Sequence, residues 1–184
     1  ELLERMLREL QSRLGSVSVM IVQISGTTNE KRDGSGWRLV REAQRRAAAR
    51  HGAMLIPAYD LTRYSDDIHL GPADNLLLGA RAADQFLRQT RAGVITARRV
   101  GEAIEVVFEG VRLHPGKAEG LLLLDAQNEA IPCEACAEGS MLRLTGSGVK
   151  NARRVTLAFD RIFSGTAPRD EAGNVLPYFD IPIE

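Results

Sequence analysis

The first half of the chain alternates helical periodicity with short apolar runs. Apolar side chains recur at helical spacing over residues 2–14, 37–51 and 72–87, and nearly continuous apolar runs occupy residues 17–24 and 53–59. The helical spacing predicts amphipathic helices, and the continuous runs are typical of parallel strands that are covered on both faces. The predicted order is α-β-α-β-α. Right-handed crossovers would make it part of an open doubly wound sheet, in which ligands bind at the carboxyl ends of the strands.

The second half changes to a β pattern. Strand-like runs separated by Gly, Pro, Asn and Asp occupy residues 94–100, 103–109, 120–125, 141–145 and 154–160. Short strands at this spacing, with no helical periodicity between them, predict a small antiparallel sandwich. The predicted fold class is therefore α/β: a partial doubly wound, flavodoxin-like α/β/α half over residues 1–92, followed by a small antiparallel β-sandwich domain over residues 93–184. We expect the two to pack through their apolar faces.

Composition and charge narrow the function classes. The 184 residues carry 24 Lys and Arg against 24 Asp and Glu, so no net field attracts nucleic acid or an anionic membrane, and we expect neither as a partner. The longest apolar runs fall far short of a membrane span. A hydrophobic fraction of 44% predicts a packed core rather than a disordered chain. Because the chain opens on Glu1 and runs directly into an amphipathic helix, we expect it to be a piece of a longer protein.

Candidate chemistry lies in the loop between the second apolar run and the third helix, which contains Asp66-Asp67-Ile68-His69. Histidine suits general base catalysis at neutral pH, and a carboxylate beside it fixes its tautomer and stabilises the imidazolium. The candidate site is therefore His69 with Asp66, and Asp67 and Asp60 are alternative carboxylates. On spacing alone, an Asp-x-x-His motif in a loop is more often a surface turn or a helix cap.

Four segments, in this order, carry a resemblance to a known family. They are the helix at 37–44 (WRLVREAQ), the loop at 66–69 (DDIH), residues 149–155 (VKNARRV) and residues 173–177 (GNVLP). Together they resemble the C-terminal part of sialate O-acetylesterases and related SGNH (GDSL-type) carbohydrate esterases over nearly the whole chain. The first segment is similar to the W-x-x-x-R-E-A-Q helix of those enzymes, and it lies at the proper distance before the loop.

The resemblance implies hydrolysis of O-acetyl esters on a carbohydrate, sialic-acid-like or polysaccharide, with His69 as general base and Asp66 as its partner. In that family the nucleophilic serine and the oxyanion donors belong to earlier segments that have no counterpart here. Ser25 and Ser35 have neighbouring glycines but lie outside a G-x-S-x-G pattern, so neither is a candidate nucleophile. The resemblance thus predicts an upstream segment or companion chain that carries the serine, and an isolated chain that is inactive. It favours an extracytoplasmic or secreted location.

Other reactive side chains are too sparse for a metal or cofactor site. The three histidines are scattered and show no metal-ligand spacing. Cys133 and Cys136 form one C-x-x-C without the second ligand pair that structural zinc needs, so two thiols or one local disulfide are expected. We therefore expect no metal and no cofactor. The alternative function is a non-catalytic carbohydrate-binding or interaction fragment on a degenerate hydrolase scaffold.

Overall fold

The computed structural model describes residues 2–15, 17–89 and 93–184, in which a helix-containing part is followed by a β-rich part. The elements of the first part are α1 (Leu2–Leu14), β1 (Met20–Gln23), α2 (Ser35–His51), β2 (Met54–Pro57) and α3 (Pro72–Arg88). This is the α-β-α-β-α order that the sequence predicts, with strands shorter than the apolar runs. The predicted domain boundary near residue 92 lies outside the described residues.

A parallel pair of strands forms the centre of the first part. β1 and β2 pair in parallel, with Met20 opposite Met54. Helices α1 and α2 contribute with both strands to a small hydrophobic cluster of Leu7, Ile21, Ala47, Ala48, Ala53 and Leu55. α2 ends where Gly52 adopts a left-handed conformation, with φ of 62°, and donates its N–H to the Ala48 carbonyl. This helix end lets the chain turn directly into β2.

The third helix presents its apolar stripe to solvent. α3 begins at Pro72, which suits the first helical position, and lies against β2. Its buried side chains are the polar Asp74 and Gln85, whereas Leu76 and Leu87 are 77% and 81% exposed. The sequence correctly predicts the helix, but the stripe that defines it contributes little to the core of the described residues. None of the helices described is long and apolar enough to cross a membrane.

The second part consists of two antiparallel sheets. Its strands are β3 (Ile95–Val100), β4 (Ala103–Phe108), β5 (Gly116–Ala118), β6 (Leu121–Leu124), β7 (Ala130–Ile131), β8 (Glu134–Glu138), β9 (Met141–Thr145), β10 (Arg154–Leu157) and β11 (Asp180–Pro182). They form a five-stranded sheet in the order β3-β4-β9-β8-β5 and a four-stranded sheet in the order β11-β10-β6-β7. Buried residues of both sheets, among them Ile104, Leu142, Leu123 and Val155, share one hydrophobic cluster. The second part is therefore β-rich and antiparallel, as the sequence predicts.

Four short strands are missed by the sequence pattern. β5, β7 and β11 are only two or three residues long. β8 has the sequence Glu-Ala-Cys-Ala-Glu, in which only Ala135 and Ala137 are buried. Alanines between charged residues give a weak strand signal, because the preference for a strand reflects packing against its neighbours. Pairing with β9 along the whole of β8, rather than local sequence, decides that this segment is a strand.

Buried polar side chains join the two parts. Gln23, at the end of β1, donates to the carbonyls of Arg41 and Tyr178 and accepts the N–H of Tyr178. Arg41 is 1% exposed. Its guanidinium donates to the backbone carbonyls of Ile24, Ser25 and Ala158. The junction is thus held by fully buried hydrogen-bonding groups, which the sequence pattern does not predict.

Apolar contacts at the junction, which the sequence does predict, are also present. The rings of Tyr59 and Phe163 meet edge to face with their centroids 5.1 Å apart. A small cavity of about 60 Å³ is lined by Leu55 from β2 and by Val175 and Leu176 from the β-rich part. The junction therefore combines apolar packing with the polar contacts of Gln23 and Arg41.

Candidate functional site

The candidate site lies in the loop between β2 and α3, beyond the carboxyl end of the parallel strand pair. This loop folds back on itself. Tyr64 and Leu70 form an antiparallel bridge, and the Ser65 N–H donates to the His69 carbonyl at 2.8 Å. Residues 65–69 therefore form a closed turn, named here the site turn, which contains both predicted site residues.

Asp66 and His69 face each other within the site turn. Asp66 Oδ2 lies 2.7 Å from His69 Nδ1, and Asp66 Oδ1 accepts the N–H groups of Ile68 at 2.9 Å and His69 at 2.8 Å. The Ile68 N–H, followed by the His69 ring and N–H, lowers the pKa of Asp66 from 3.8 to about 2. The carboxylate is thus ionised at neutral pH. It accepts the hydrogen bond from Nδ1–H, which leaves Nε2 as the basic nitrogen of the neutral ring.

The pair is open to solvent. The side chains of Asp66 and His69 are 55% and 72% exposed. Among the described residues, the His69 ring is hydrogen-bonded only through Nδ1. An imidazole that a carboxylate orients on one side, and that is open on the other, can accept a proton from an approaching hydroxyl group. The geometry suits a general base with an orienting carboxylate.

The two alternative carboxylates contact other residues. Asp60 forms a bidentate ion pair with Arg81, with distances of 2.8 and 2.9 Å. Asp67 Oδ2 accepts a hydrogen bond from Asn29 Nδ2 at 3.0 Å. Of the three carboxylates that the sequence offers, Asp66 is the one that contacts the imidazole.

The two serines with neighbouring glycines take part in local contacts. Ser35 Oγ donates to Asp33 Oδ1 at 2.8 Å, and the Ser35 N–H donates to the same oxygen at 2.9 Å. Ser25 is only 8% exposed, and its carbonyl accepts from Arg41 Nη2 at 2.7 Å. Neither serine hydrogen-bonds to His69.

The cysteines are free thiols. Cys133 and Cys136 form no disulfide with each other. Burial raises the pKa of the Cys133 thiol, which favours its protonated form. Within residues 2–15, 17–89 and 93–184, no three His, Cys, Asp or Glu side chains converge as a metal-binding group would.

Polar side chains of α2, in the W-x-x-x-R-E-A-Q segment, hydrogen-bond to the backbone at β1 and at β11. Gln44 donates to the Val22 carbonyl at 2.9 Å and accepts the Ile24 N–H at 3.0 Å, so its side chain pairs with the backbone of β1 and the residue that follows it. Glu42 accepts the N–H of Asp180 in β11 at 3.2 Å. These contacts explain why polar residues occupy the inward side of α2. A run of adjacent polar residues in an Ala-rich helix was the sequence signal for them.

Comparisons with known proteins show the fold but no family. No family model matches the chain, and no curated protein matches it in sequence. A solved carbohydrate acetylesterase from Xanthomonas citri is similar in structure, with a TM-score of 0.75 and 16% sequence identity. The match covers 97% of this chain and 44% of that chain, so this chain spans less than half the length of that protein. The chain therefore has the fold of part of a carbohydrate acetylesterase.

Proposed function

We propose that this chain supplies the histidine and aspartate of a serine esterase that removes O-acetyl groups from a carbohydrate. The observation that carries the proposal is the hydrogen bond of 2.7 Å between Asp66 and the His69 ring, beyond the carboxyl ends of two parallel strands. Similarity to a carbohydrate acetylesterase in fold supports the reaction class. A sialic-acid-like sugar or an acetylated polysaccharide is the proposed substrate.

In the proposed mechanism, His69 Nε2 takes the proton of a serine hydroxyl as its oxygen attacks the acetyl carbonyl. Asp66 stabilises the imidazolium that forms, and the imidazolium then protonates the departing sugar oxygen. His69 next takes a proton from water as the water oxygen attacks the acetyl-serine, and the imidazolium returns this proton to the serine oxygen when the acyl–serine bond breaks and acetate leaves. Loss of one oxyanion donor can cost about 100- to 1,000-fold in rate. This chain alone should therefore be inactive until the serine and the oxyanion donors are supplied.

We further propose that an upstream segment or a companion chain supplies them by extending the parallel sheet. Within the described residues, β1 pairs with β2 along one edge only, and Met20 and Val22 of β1 are 45% and 42% exposed. Parallel sheets normally have both faces covered. The exposed Leu76 and Leu87 of α3 add a further apolar surface. These features support the inference that β1 and β2 are two strands of a doubly wound SGNH-type sheet.

The test combines active-site labelling with substitution. A serine-reactive fluorophosphonate probe should label a longer or companion polypeptide in the native preparation, as intact-mass spectrometry would show. In that preparation, His69→Ala should abolish hydrolysis of 4-nitrophenyl acetate and of acetylated sugars. His114→Ala, which changes an exposed histidine of the β-rich part, should keep full activity.

Two outcomes would contradict the proposal. Full activity of His69→Ala would remove this residue from the mechanism. Absence of any labelled polypeptide, together with unchanged carbohydrate binding by His69→Ala, would instead support the non-catalytic binding function.

A further inference from the structure

Residues 26–29, named here the anchor loop, follow β1 and hydrogen-bond to the site turn. The Asp67 carbonyl accepts hydrogen bonds from Thr27 Oγ1 and from the Thr28 N–H, both at 2.9 Å, and Asp67 Oδ2 accepts from Asn29 Nδ2 at 3.0 Å. Thr27 is fully buried. All three hydrogen bonds converge on Asp67, the residue next to the candidate orienting carboxylate.

The β-rich part holds the anchor loop from the other side. Arg161, which follows β10, accepts the Thr27 N–H with its carbonyl at 3.3 Å and donates from Nη1 to the Thr28 carbonyl at 2.7 Å. Gly26 packs so closely that an added Cβ would overlap the Arg161 carbonyl. The Gly26 N–H also donates to Tyr64 Oη at 2.8 Å, directly beside the site turn. The anchor loop is thus confined between the β-rich part and the site turn.

Contacts inside the site turn do not fix its direction relative to the sheet. Asp66 closes the turn by accepting two backbone N–H groups and the imidazole, and these bonds would persist if the turn moved as a unit. Both Asp66 and His69 are exposed, so packing of their own side chains holds the turn only weakly. The ends of the turn are tied to the Tyr64–Leu70 bridge and to α3, and the hydrogen bonds to Asp67 connect its tip to the anchor loop.

We propose that Thr27 and Arg161 are positioning residues, which set the orientation of the Asp66–His69 pair, and that Arg161 lets the β-rich part control the geometry of the site. The catalytic consequence rests on the proposed esterase function, whereas the effect on the turn does not. Misplacement of a catalytic group by about 1 Å can cost about 100-fold in rate. Asp67 is accordingly an anchor of the turn and not a second orienting carboxylate.

The test measures the mobility of the site turn in this chain by ¹⁵N relaxation. Thr27→Val keeps the shape of the buried side chain and removes the hydroxyl that donates to the Asp67 carbonyl and accepts the Asn29 N–H at 3.2 Å, and Thr27→Ser keeps that hydroxyl. Thr28→Val is the matched control, because Thr28 is exposed and donates through its backbone N–H, which Val retains. Arg161→Met removes the side-chain hydrogen bond to the Thr28 carbonyl, keeps the backbone bond to Thr27 and changes no core residue. It serves if Thr27→Val does not fold.

Order parameters of residues 66–69 should fall from about 0.85 to below about 0.6 in Thr27→Val and Arg161→Met, while those of β1 and β2 stay rigid. In Thr27→Ser and Thr28→Val, the order parameters of residues 66–69 should keep the values of the unsubstituted chain. Unchanged mobility of the site turn in both Thr27→Val and Arg161→Met would overturn the proposal. A loss of rigidity spread equally over the strands would overturn it as well, because it would indicate a merely structural role.

Kinetics of the active enzyme separate this inference from the proposed function. Thr27→Val and Arg161→Met should lower kcat by about 10-fold or more with KM nearly unchanged, and Thr27→Ser should recover the rate. An unchanged kcat in an active esterase would overturn the catalytic part of the proposal. If the site turn loosens as expected but the unsubstituted enzyme hydrolyses no acetyl ester, the positioning role is supported and the esterase function fails.

Discussion

Replacing Arg41 by Met should destabilise the chain strongly, because this side chain joins β1, α2 and the β-rich part. Its guanidinium is buried and lies 5.4 Å from the centre of the Tyr178 ring. It forms no ion pair within the described residues, and burial lowers its pKa from the ordinary value. Its donors reach the carbonyls of Ile24 at 3.0 Å, Ser25 at 2.7 Å and Ala158 at 3.3 Å. Met fills much of the same space but offers none of these donors.

Two opposing effects set the size of the stability loss in Arg41→Met. Each buried carbonyl that loses its partner costs about 1–3 kcal/mol, and three are affected. Removal of an unpaired buried charge recovers several kcal/mol of desolvation energy, so the sum of the three losses is an upper bound. We expect a net loss of about 2–4 kcal/mol in the free energy of unfolding. For a domain with about 5–15 kcal/mol of stability, that loss is easily measured.

Urea denaturation of the chain, followed by circular dichroism and by the fluorescence of the single tryptophan, Trp37, is the assay. Arg46→Met is the matched control, since it lies on the same helix with 59% of its side chain exposed and pairs with Glu42 at 2.8 Å. It should cost less than about 1 kcal/mol. Arg41→Lys keeps the charge but loses the fork-shaped donor set, and its loss should lie between those of the two Met variants.

The reasoning is refuted if Arg41→Met costs no more than Arg46→Met while the urea dependence of the unfolding free energy stays the same. In that case the three carbonyls would be satisfied in another way and the junction would not depend on Arg41. If Arg41→Met does not fold, Arg41→Lys decides the question, because a stability equal to that of the unsubstituted chain would contradict the role of the guanidinium.

Three further predictions concern the site and the anchor loop. In the active enzyme, Asp66→Asn should lower kcat by about 100- to 10,000-fold and still leave more activity than His69→Ala, because a misoriented imidazole can act as a base; equal residual rates would contradict this. The pKa of Asp66 is lowered from 3.8 to about 2, so its contribution to stability is present above pH 3.8 and is lost as the pH falls towards 2. Asp66→Asn should therefore lose less stability than the unsubstituted chain in that pH range, as urea titrations at each pH would show. Gly26→Ala should destabilise by about 1–3 kcal/mol through backbone overlap, whereas Gly36→Ala, in open space on α2, should be neutral or stabilising, and equal effects in urea denaturation would refute the tight contact.

The local pattern of apolar and polar residues was sufficient to predict many of the helices and strands. The predicted first helix coincides with α1, and the predicted run at 141–145 coincides with β9. These segments carry an apolar periodicity strong enough to define the element without help from its neighbours. β8 was missed because its burial rests on alanines, whose exposed neighbours carry charge. Its strand conformation depends on pairing with β9 across the two-residue turn Gly139-Ser140, and the preference of the β8 residues taken alone does not include that partner.

The candidate site was predictable in part. The sequence placed His69 and Asp66 in a loop after a parallel strand, and the structure brings their side chains into contact. It left Asp60 and Asp67 as competitors, because spacing along a loop does not say where a carboxylate points. Arg81 on α3 and Asn29 in the anchor loop bind these two carboxylates. Both partners are more than 20 residues away in the chain, so the choice among the carboxylates depended on tertiary contacts.

By itself, the sequence determined the α-β-α-β-α order of the first part, the change to a β-rich part, and the loop that carries the histidine. All of these follow from short-range periodicity and turn chemistry. Only the tertiary structure decided that the apolar stripe of α3 faces outward, that Arg41 is a buried connection and that Asp60 and Asp67 are bound by Arg81 and Asn29. These features depend on which distant segments meet, and burial and hydrogen-bond satisfaction at such contacts outweigh local preference.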